Sequence, residues 1–82
     1  MIWKVAVYRI EATEAEWNYA FRALQRIRRY GDPKHKPLIA EIAPSIAMRS
    51  GDGSTCHELD CTPAQKRLID LAMKWGPERR PS

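Results

Sequence analysis

Residues 13–33 read TEAEWNYAFRALQRIRRYGDP, and this stretch decides the fold. Thr13 and Glu16 stand three positions apart, the spacing of a capping box, in which each side chain accepts a hydrogen bond from the other residue's backbone amide. Apolar side chains then recur at helical spacing, at Trp17, Ala20, Phe21, Leu24 and Ile27. The pattern predicts an amphipathic helix over residues 13–30, closed by Gly31 in a left-handed conformation.

A second capping signal lies later in the chain. Thr62 and Gln65 repeat the capping-box spacing, and Pro63 occupies the first helical position, where its missing N–H does no harm. One apolar helical stripe follows, made of Leu68, Leu71, Ala72 and Trp75. The sequence therefore predicts a second helix from Pro63 to a stop at Gly76.

The first ten residues carry a strand pattern. Residues 2–10 are rich in β-branched and aromatic side chains and alternate between two faces. A lone strand leaves its backbone groups unpaired, so a later segment must pair with it.

Residues 50–53 read SGDG, a turn signal between two short apolar segments. We therefore expect a hairpin with strands at 46–49 and 54–59.

The middle segment, residues 37–49, fits two structures. Its alternation favours a strand, whereas four apolar side chains would share one face of a helix: Ile39, Ile42, Ala43 and Ile46. Pro44 would cost about 3 kcal/mol inside a helix but is tolerated in an edge strand or a bulge. The favoured order is β-α-β-β-α, which predicts an α+β fold: a two-layer sandwich with an antiparallel sheet and two helices on one face.

Length and composition indicate one small folded domain. The chain has 82 residues, of which 44% are apolar, and we expect a single domain over residues 1–76 with a flexible basic tail at 77–82. No apolar run reaches the roughly 18 to 20 residues of a membrane span. Lys4 and Arg9 interrupt the first ten residues, which lack a cleavage site. A cytoplasmic protein with no membrane partner is the expectation.

Positive charge is concentrated in one part of the chain. Residues 22–36 hold six basic residues and one acidic residue, a net charge of +5 against +4 for the whole chain. On a helix, Arg22, Arg26 and Arg29 fall on the face opposite the apolar stripe. With their neighbours they form a predicted partner-binding ridge, made of Tyr19, Arg22, Arg26, Arg29, Tyr30, Lys34 and Lys36. Guanidinium groups bind carboxylates and phosphates, so both an acidic protein and a nucleic acid are candidate partners.

Cys56 and Cys61, with His57 beside the first of them, are the candidate chemical residues. A zinc site would also need His35, and the spacing does not match standard structural sites. Free thiols, a disulfide and a metal site are all open, with free thiols favoured in a cytosolic chain. Cys56 and His57 would point to opposite faces of a strand, which disfavours a catalytic pair. We predict no enzymatic activity, no cofactor and no metal.

The opening strand MIWKVAVYRI and the helix TEAEWNYAFRALQRIRRYGDP, in a chain of this size, resemble the small early accessory proteins of transposable tailed phages. The resemblance lies in size and organisation and includes no aligned motif. It implies a non-enzymatic protein that binds and blocks host machinery stoichiometrically, as do phage inhibitors of CRISPR complexes and of the motor ATPase of type IV pili.

Many anti-CRISPR proteins are acidic mimics of nucleic acid, and a chain with a net charge of +4 does not match them. We therefore expect docking on an acidic surface of a host protein, in the host cytoplasm. A small basic DNA- or RNA-binding protein is the alternative. The unpaired edge of a small sheet also allows a homodimer.

Overall fold

The computed structural model describes residues 7–76. Two strands and three helices follow one another as β1 (Tyr8–Thr13), α1 (Glu14–Tyr30), α2 (Lys36–Arg49), β2 (Cys56–Cys61) and α3 (Pro63–Trp75). The predicted α+β class with an antiparallel sheet is confirmed. The strand predicted at residues 2–10 overlaps β1 at its end, and residues 1–6 lie outside the described residues. The predicted tail at 77–82 also lies outside them.

The capping box of α1 forms as predicted. Thr13 Oγ1 accepts a hydrogen bond from the Glu16 amide at 3.2 Å, and Glu16 Oε1 accepts one from the Thr13 amide at 2.9 Å. Hydrogen bonding by the Thr13 amide, and then by its hydroxyl, favours the charged carboxylate and so lowers the pKa of Glu16.

The C-terminal end of α1 differs from the prediction, because Gly31 is extended, with φ −89°, and not left-handed. The Gly31 amide donates to the Ile27 carbonyl oxygen at 2.7 Å. A Cβ on residue 31 would lie 2.6 Å from that oxygen. Glycine is therefore required because the Ile27 carbonyl of the same turn leaves no room for a Cβ, and not because of the φ angle.

Residues 36–49 form helix α2, so the predicted strand at 46–49 is wrong and the observed order is β-α-α-β-α. Pro44 lies inside this helix. Its cost of about 3 kcal/mol is outweighed because Ile39, Ile42 and Ile46 are buried, at about 1.5 to 3 kcal/mol each. Packing of α2 against α1 decides the structure of this segment.

The two strands pair antiparallel, with Tyr8 opposite Cys61 and Thr13 opposite Cys56. Apolar side chains of one face, among them Ile10 and Leu59, pack on the helical core. The other face, called the outer face below, presents charged and exposed side chains: Arg9, Glu11, Glu58 and Asp60. The strand predicted at residues 54–59 is present as β2. It pairs with β1 and not with residues 46–49, as the predicted hairpin required.

The second predicted helix is confirmed as α3. Thr62 Oγ1 accepts from the Gln65 amide at 3.2 Å, and Gln65 Oε1 accepts from the Thr62 amide at 3.0 Å. Pro63 is in the first turn, where no intrahelical donor is needed. The helix ends at Gly76, whose φ of 77° lies in the left-handed region that favours glycine.

Trp17 joins the helical layer to the sheet. Its side chain is 1% exposed and belongs to the core formed by all three helices. The indole Nε1 donates a hydrogen bond to the His57 carbonyl of β2 at 2.9 Å. The sheet is therefore held on α1 by both apolar contact and a directed polar bond.

We expect Trp17→Phe to lower the free energy of unfolding by about 1 to 3 kcal/mol, because it removes both the indole hydrogen bond and buried apolar surface. Urea denaturation followed by circular dichroism measures this. The matched control is Met48→Ala, since Met48 is 85% exposed and should change stability by less than about 0.5 kcal/mol. Equal stability of Trp17→Phe and the wild type would contradict this description of the core.

Candidate binding surface

Arg26 does not face outward as the predicted ridge requires. Its Nη1 donates to the carbonyls of Trp75 at 2.8 Å and Gly76 at 3.1 Å. Its guanidinium carbon lies 4.7 Å from the centroid of the Trp75 ring, and its Nε is buried without a hydrogen-bond partner among residues 7–76. The C-terminal end of a helix favours a cation, so Arg26 fastens the end of α3 to α1. Its predicted role as an outward-facing ridge residue is wrong.

Tyr19 lies on the same side of α1 as Arg26. It is 40% exposed, and its hydroxyl approaches Gly76 so closely that a Cβ there would lie 2.8 Å from it. A shallow apolar depression beside it is lined by Ala15, Glu16 and Met73. Tyr19 therefore borders α3 and is separated from the arginines at the end of α1.

The last two turns of α1 and the start of α2 border an open surface concavity of about 310 Å³. It is lined by four side chains, Gln25, Arg28, Arg29 and Lys36, and is called the cationic concavity below. Arg28, Arg29 and Lys36 are exposed, and none of the three forms an ion pair with a carboxylate of residues 7–76. The fold thus gathers three cations from two helices at one place.

The connection between the two helices produces this arrangement. Asp32 caps a 3-10 turn, Pro33–His35, by accepting a hydrogen bond from the Lys34 amide at 3.0 Å. This turn leads directly into α2, so Lys36 begins the helix close to the end of α1. The positive end of the α2 dipole adds to the field of the side chains.

Arg28 was not among the predicted binding residues. It stands four positions after Leu24, on the apolar side of the helix, so helical periodicity alone places it toward the core. The structure leaves it exposed beside Lys36. Its position in the last turn of α1 is the sequence signal that could have identified it. The last turn of a helix can extend beyond the core, so a side chain on the apolar side can be exposed there.

The other predicted residues lie outside the lining of the concavity. Tyr30 is 62% exposed, with the Arg29 guanidinium carbon 5.9 Å from its ring centroid. Lys34 is exposed and its Nζ lies 3.8 Å from Asp32, so its charge is partly offset. Arg22 is exposed in the middle of α1. Of the predicted set, Arg29 and Lys36 meet at the cationic concavity, and Tyr30 adjoins Arg29.

The two cysteines are free and differ in environment. Cys56 is exposed and Cys61 is 2% exposed. They stand five residues apart in one strand, on opposite faces and about 17 Å apart at the usual rise, which is too far for a disulfide. Burial raises the pKa of the Cys61 thiol, and the Asp60 charge adds to the effect.

His57 faces the first turn of α1, away from Cys56. Its Nε2 lies 3.0 Å from Glu14 Oε2, and both side chains are about one-third exposed. This pair links β2 to the N-terminal end of α1 and does not activate the neighbouring thiol. Within residues 7–76, no group of three or more His, Cys, Asp or Glu side chains is placed to hold a metal ion.

Comparison of the chain with protein-family models, curated proteins and solved structures found no match. None of the helices between residues 7 and 76 combines the length and the apolar content that a membrane crossing needs. The surface must therefore be interpreted from its own geometry.

We expect Arg26→Gln to lower the free energy of unfolding by about 2 kcal/mol, because two charge-assisted hydrogen bonds and a cation–π contact are lost. Arg29→Gln is the matched control and should change stability by less than about 0.5 kcal/mol, since Arg29 is exposed. Thermal and urea denaturation measure both. Equal stabilities of the two variants would show that Arg26 does not fasten α3.

We expect the two thiols to react with a thiol reagent at very different rates. Cys56 should react quickly at neutral pH, whereas Cys61 should react at an appreciable rate only in denaturant, because burial hides it and disfavours its thiolate. Cys56→Ser should remove the fast phase. Two equal fast phases in the folded protein would contradict the placement of Cys61.

Proposed function

We propose that this chain is a non-enzymatic binding protein that docks the cationic concavity on an acidic surface of another protein. The observation that carries the proposal is the gathering of Arg28, Arg29 and Lys36 around one concavity, where they are exposed and have no carboxylate partner among the described residues. Unneutralised cations gathered on two helices attract anions, because the helices fix the spacing of the backbone positions that carry them.

The shape of the site favours carboxylates on a protein over a nucleic-acid backbone. A guanidinium group binds a carboxylate or a phosphate with two parallel hydrogen bonds, so the charges alone do not choose between the partners, and Gln25 adds a neutral amide that both donates and accepts. Nucleic-acid binders usually spread their cations along a track that follows many phosphates. Here Arg26 is used within the fold, so the predicted continuous ridge along α1 is broken.

An exposed aromatic side chain strengthens the case for a protein partner. Tyr30 is 62% exposed beside Arg29, and tyrosine next to arginine is typical of the residues that dominate protein interfaces. Tyr30 would supply apolar contact at the edge of a charged centre. Its ring can also remain in contact with the Arg29 guanidinium while that group binds a carboxylate.

The proposed consequence of docking is stoichiometric inhibition. A small rigid domain seated on an acidic surface would block access to that surface or hold it in one conformation. The resemblance to phage accessory proteins supplies the partner class, a host protein, and the place, the host cytoplasm. The proposal requires no catalytic group and no cofactor.

Reversal of two charges should abolish partner binding without unfolding the protein. In the double variant Arg28→Glu with Arg29→Glu, we expect affinity for a fluorescent decaglutamate peptide to fall at least about tenfold, because attraction becomes repulsion at the centre of the site. Capture of proteins from nuclease-treated host lysate should be lost in parallel. Fluorescence anisotropy and affinity capture measure these effects, and the melting temperature should stay close to that of the wild type.

The double variant Arg67→Glu with Lys74→Glu is the matched control, since it changes the net charge equally and both side chains are exposed on α3 away from the concavity. It should retain binding to the peptide. Equal loss in both variants would indicate general charge attraction and would refute the site. Tighter binding to a single-stranded oligonucleotide of equal charge, with a steep decrease between about 50 and 200 mM salt, would favour the nucleic-acid alternative.

A further inference from the structure

The edge of β1 that faces away from β2 is an unpaired strand edge. Among the described residues the sheet has two strands, so no further strand lies beside this edge. Natural proteins protect such edges, because unpaired N–H and C=O groups can pair with another chain. The edge of β2 that faces away from β1 is partly covered by α2. There, Arg49 Nε donates a hydrogen bond to the Glu58 carbonyl at 2.7 Å.

A groove of about 320 Å³ runs along β1. Its floor is apolar and is formed by side chains of β1, α1 and α3, namely Ile10, Ala12, Trp17, Ala20, Ile69 and Met73. Charged groups line its borders, including the ion pair between Lys66 and Asp70. A strand added to β1 would place every second side chain over this apolar floor and the others on the outer face.

We propose that β1 pairs antiparallel with β1 of a second copy of this chain, around a twofold axis at Ile10, to form a four-stranded sheet. Charge complementarity favours β1 of a second copy as the strand that pairs here. With the axis at Ile10, Arg9 of each copy lies directly opposite Glu11 of the other, so two opposite-charge pairs form on the outer face.

Other twofold registers lack this complementarity. An axis at Arg9 would place the two Arg9 side chains opposite each other, and an axis at Glu11 would place the two Glu11 side chains opposite each other. Both arrangements put like charges together. The Ile10 register also places Ile10 opposite Ile10 and Tyr8 opposite Ala12 on the inner face, so apolar side chains of each copy lie along the groove of the other. A twofold interface of this kind closes on itself and leaves no further edge of β1 exposed.

On the outer face of one copy, three carboxylates surround a single arginine, so this face has room for a second cation. Arg9 Nε donates to Asp60 at 3.0 Å and lies 3.6 Å from Glu58, and these carboxylates raise the pKa of Arg9. Glu11 lies opposite Glu58 across the sheet, a like-charge pair, and Arg9 of the same copy offsets this repulsion only in part, because it also binds Asp60. A second copy would bring its Arg9 next to Glu11.

Two single variants and their mixture test the register. Glu11→Arg places two arginine side chains opposite each other between copies, and Arg9→Glu places two glutamate side chains opposite each other there. Each variant alone should therefore dimerise at least about tenfold more weakly than the wild type. In the mixture, a copy with two acids meets a copy with two arginines, and a heterodimer should form. Sedimentation equilibrium in the presence of reductant measures the mass, with the dimer at twice the 9.5 kDa of one chain.

The controls separate association from folding and from the proposed function. Glu11→Arg should not lower the melting temperature, because it replaces a like-charge pair with Glu58 by an opposite-charge pair. Arg9→Glu removes the contacts of Arg9 with Asp60 and Glu58 and should lower it, so Glu11→Arg alone decides the proposal if Arg9→Glu is unfolded by circular dichroism. The Arg28→Glu with Arg29→Glu variant should dimerise as the wild type does, since those residues are far from β1 in the chain and line another surface. Reductant excludes disulfide-linked dimers through the exposed Cys56.

A wild-type protein that remains a monomer from about 1 μM to about 1 mM would overturn the proposal. So would a dimer that both variants leave unchanged, because a different surface would then be responsible. Two variants that are folded and monomeric, and whose mixture stays monomeric, would also overturn it, since the register requires the two charge sets to attract each other.

Discussion

The indole of Trp17 is the contact on which the arrangement of this domain depends. It is buried in the first helix, touches the core that all three helices share, and donates its one hydrogen bond to the backbone of β2. A two-stranded sheet is marginal by itself in water. Its apolar face becomes stable because α1 presents a wide apolar stripe, and Trp17 fixes the position of the sheet along that stripe.

The opposite end of α1 shows how one helix divides its charged residues between folding and exposure. Arg26 is directed to the end of α3, where it binds two carbonyls and stacks on Trp75. Arg28 and Arg29 remain exposed and meet Lys36 of α2. Arg26 therefore stabilises the contact between α1 and α3, whereas Arg28 and Arg29 form a positive surface. This surface is the basis of the proposed binding function.

Local sequence signals predicted the elements that depend on neighbouring residues. Both capping boxes, the proline at the start of α3 and the strand pattern near residue 10 act within a few positions, and the structure contains each of them. Helix α2 could not be predicted in this way, because Pro44 argues against a helix locally and the burial of its isoleucines against α1 decides the outcome.

The residues of the proposed binding surface were predicted only in part, for a related reason. Arg29 and Lys36 followed from the concentration of charge, whereas the direction of Arg26 depends on carbonyls 49 and 50 positions away in the chain. Arg28 shares the apolar side of the helix by periodicity but lies where the core has ended. The direction of Arg26 and the exposure of Arg28 both depend on which distant element packs beside the end of α1. Local sequence patterns do not contain this information.

The most direct test of this division of charge is an NMR spectrum of the arginine Nε–Hε groups, recorded before and after addition of decaglutamate. We expect a slowly exchanging Arg26 Hε, shifted by the Trp75 ring and unaffected by the peptide, together with Arg28 and Arg29 signals that move during the titration. A rapidly exchanging Arg26 signal that moves together with those of Arg28 and Arg29 would contradict it.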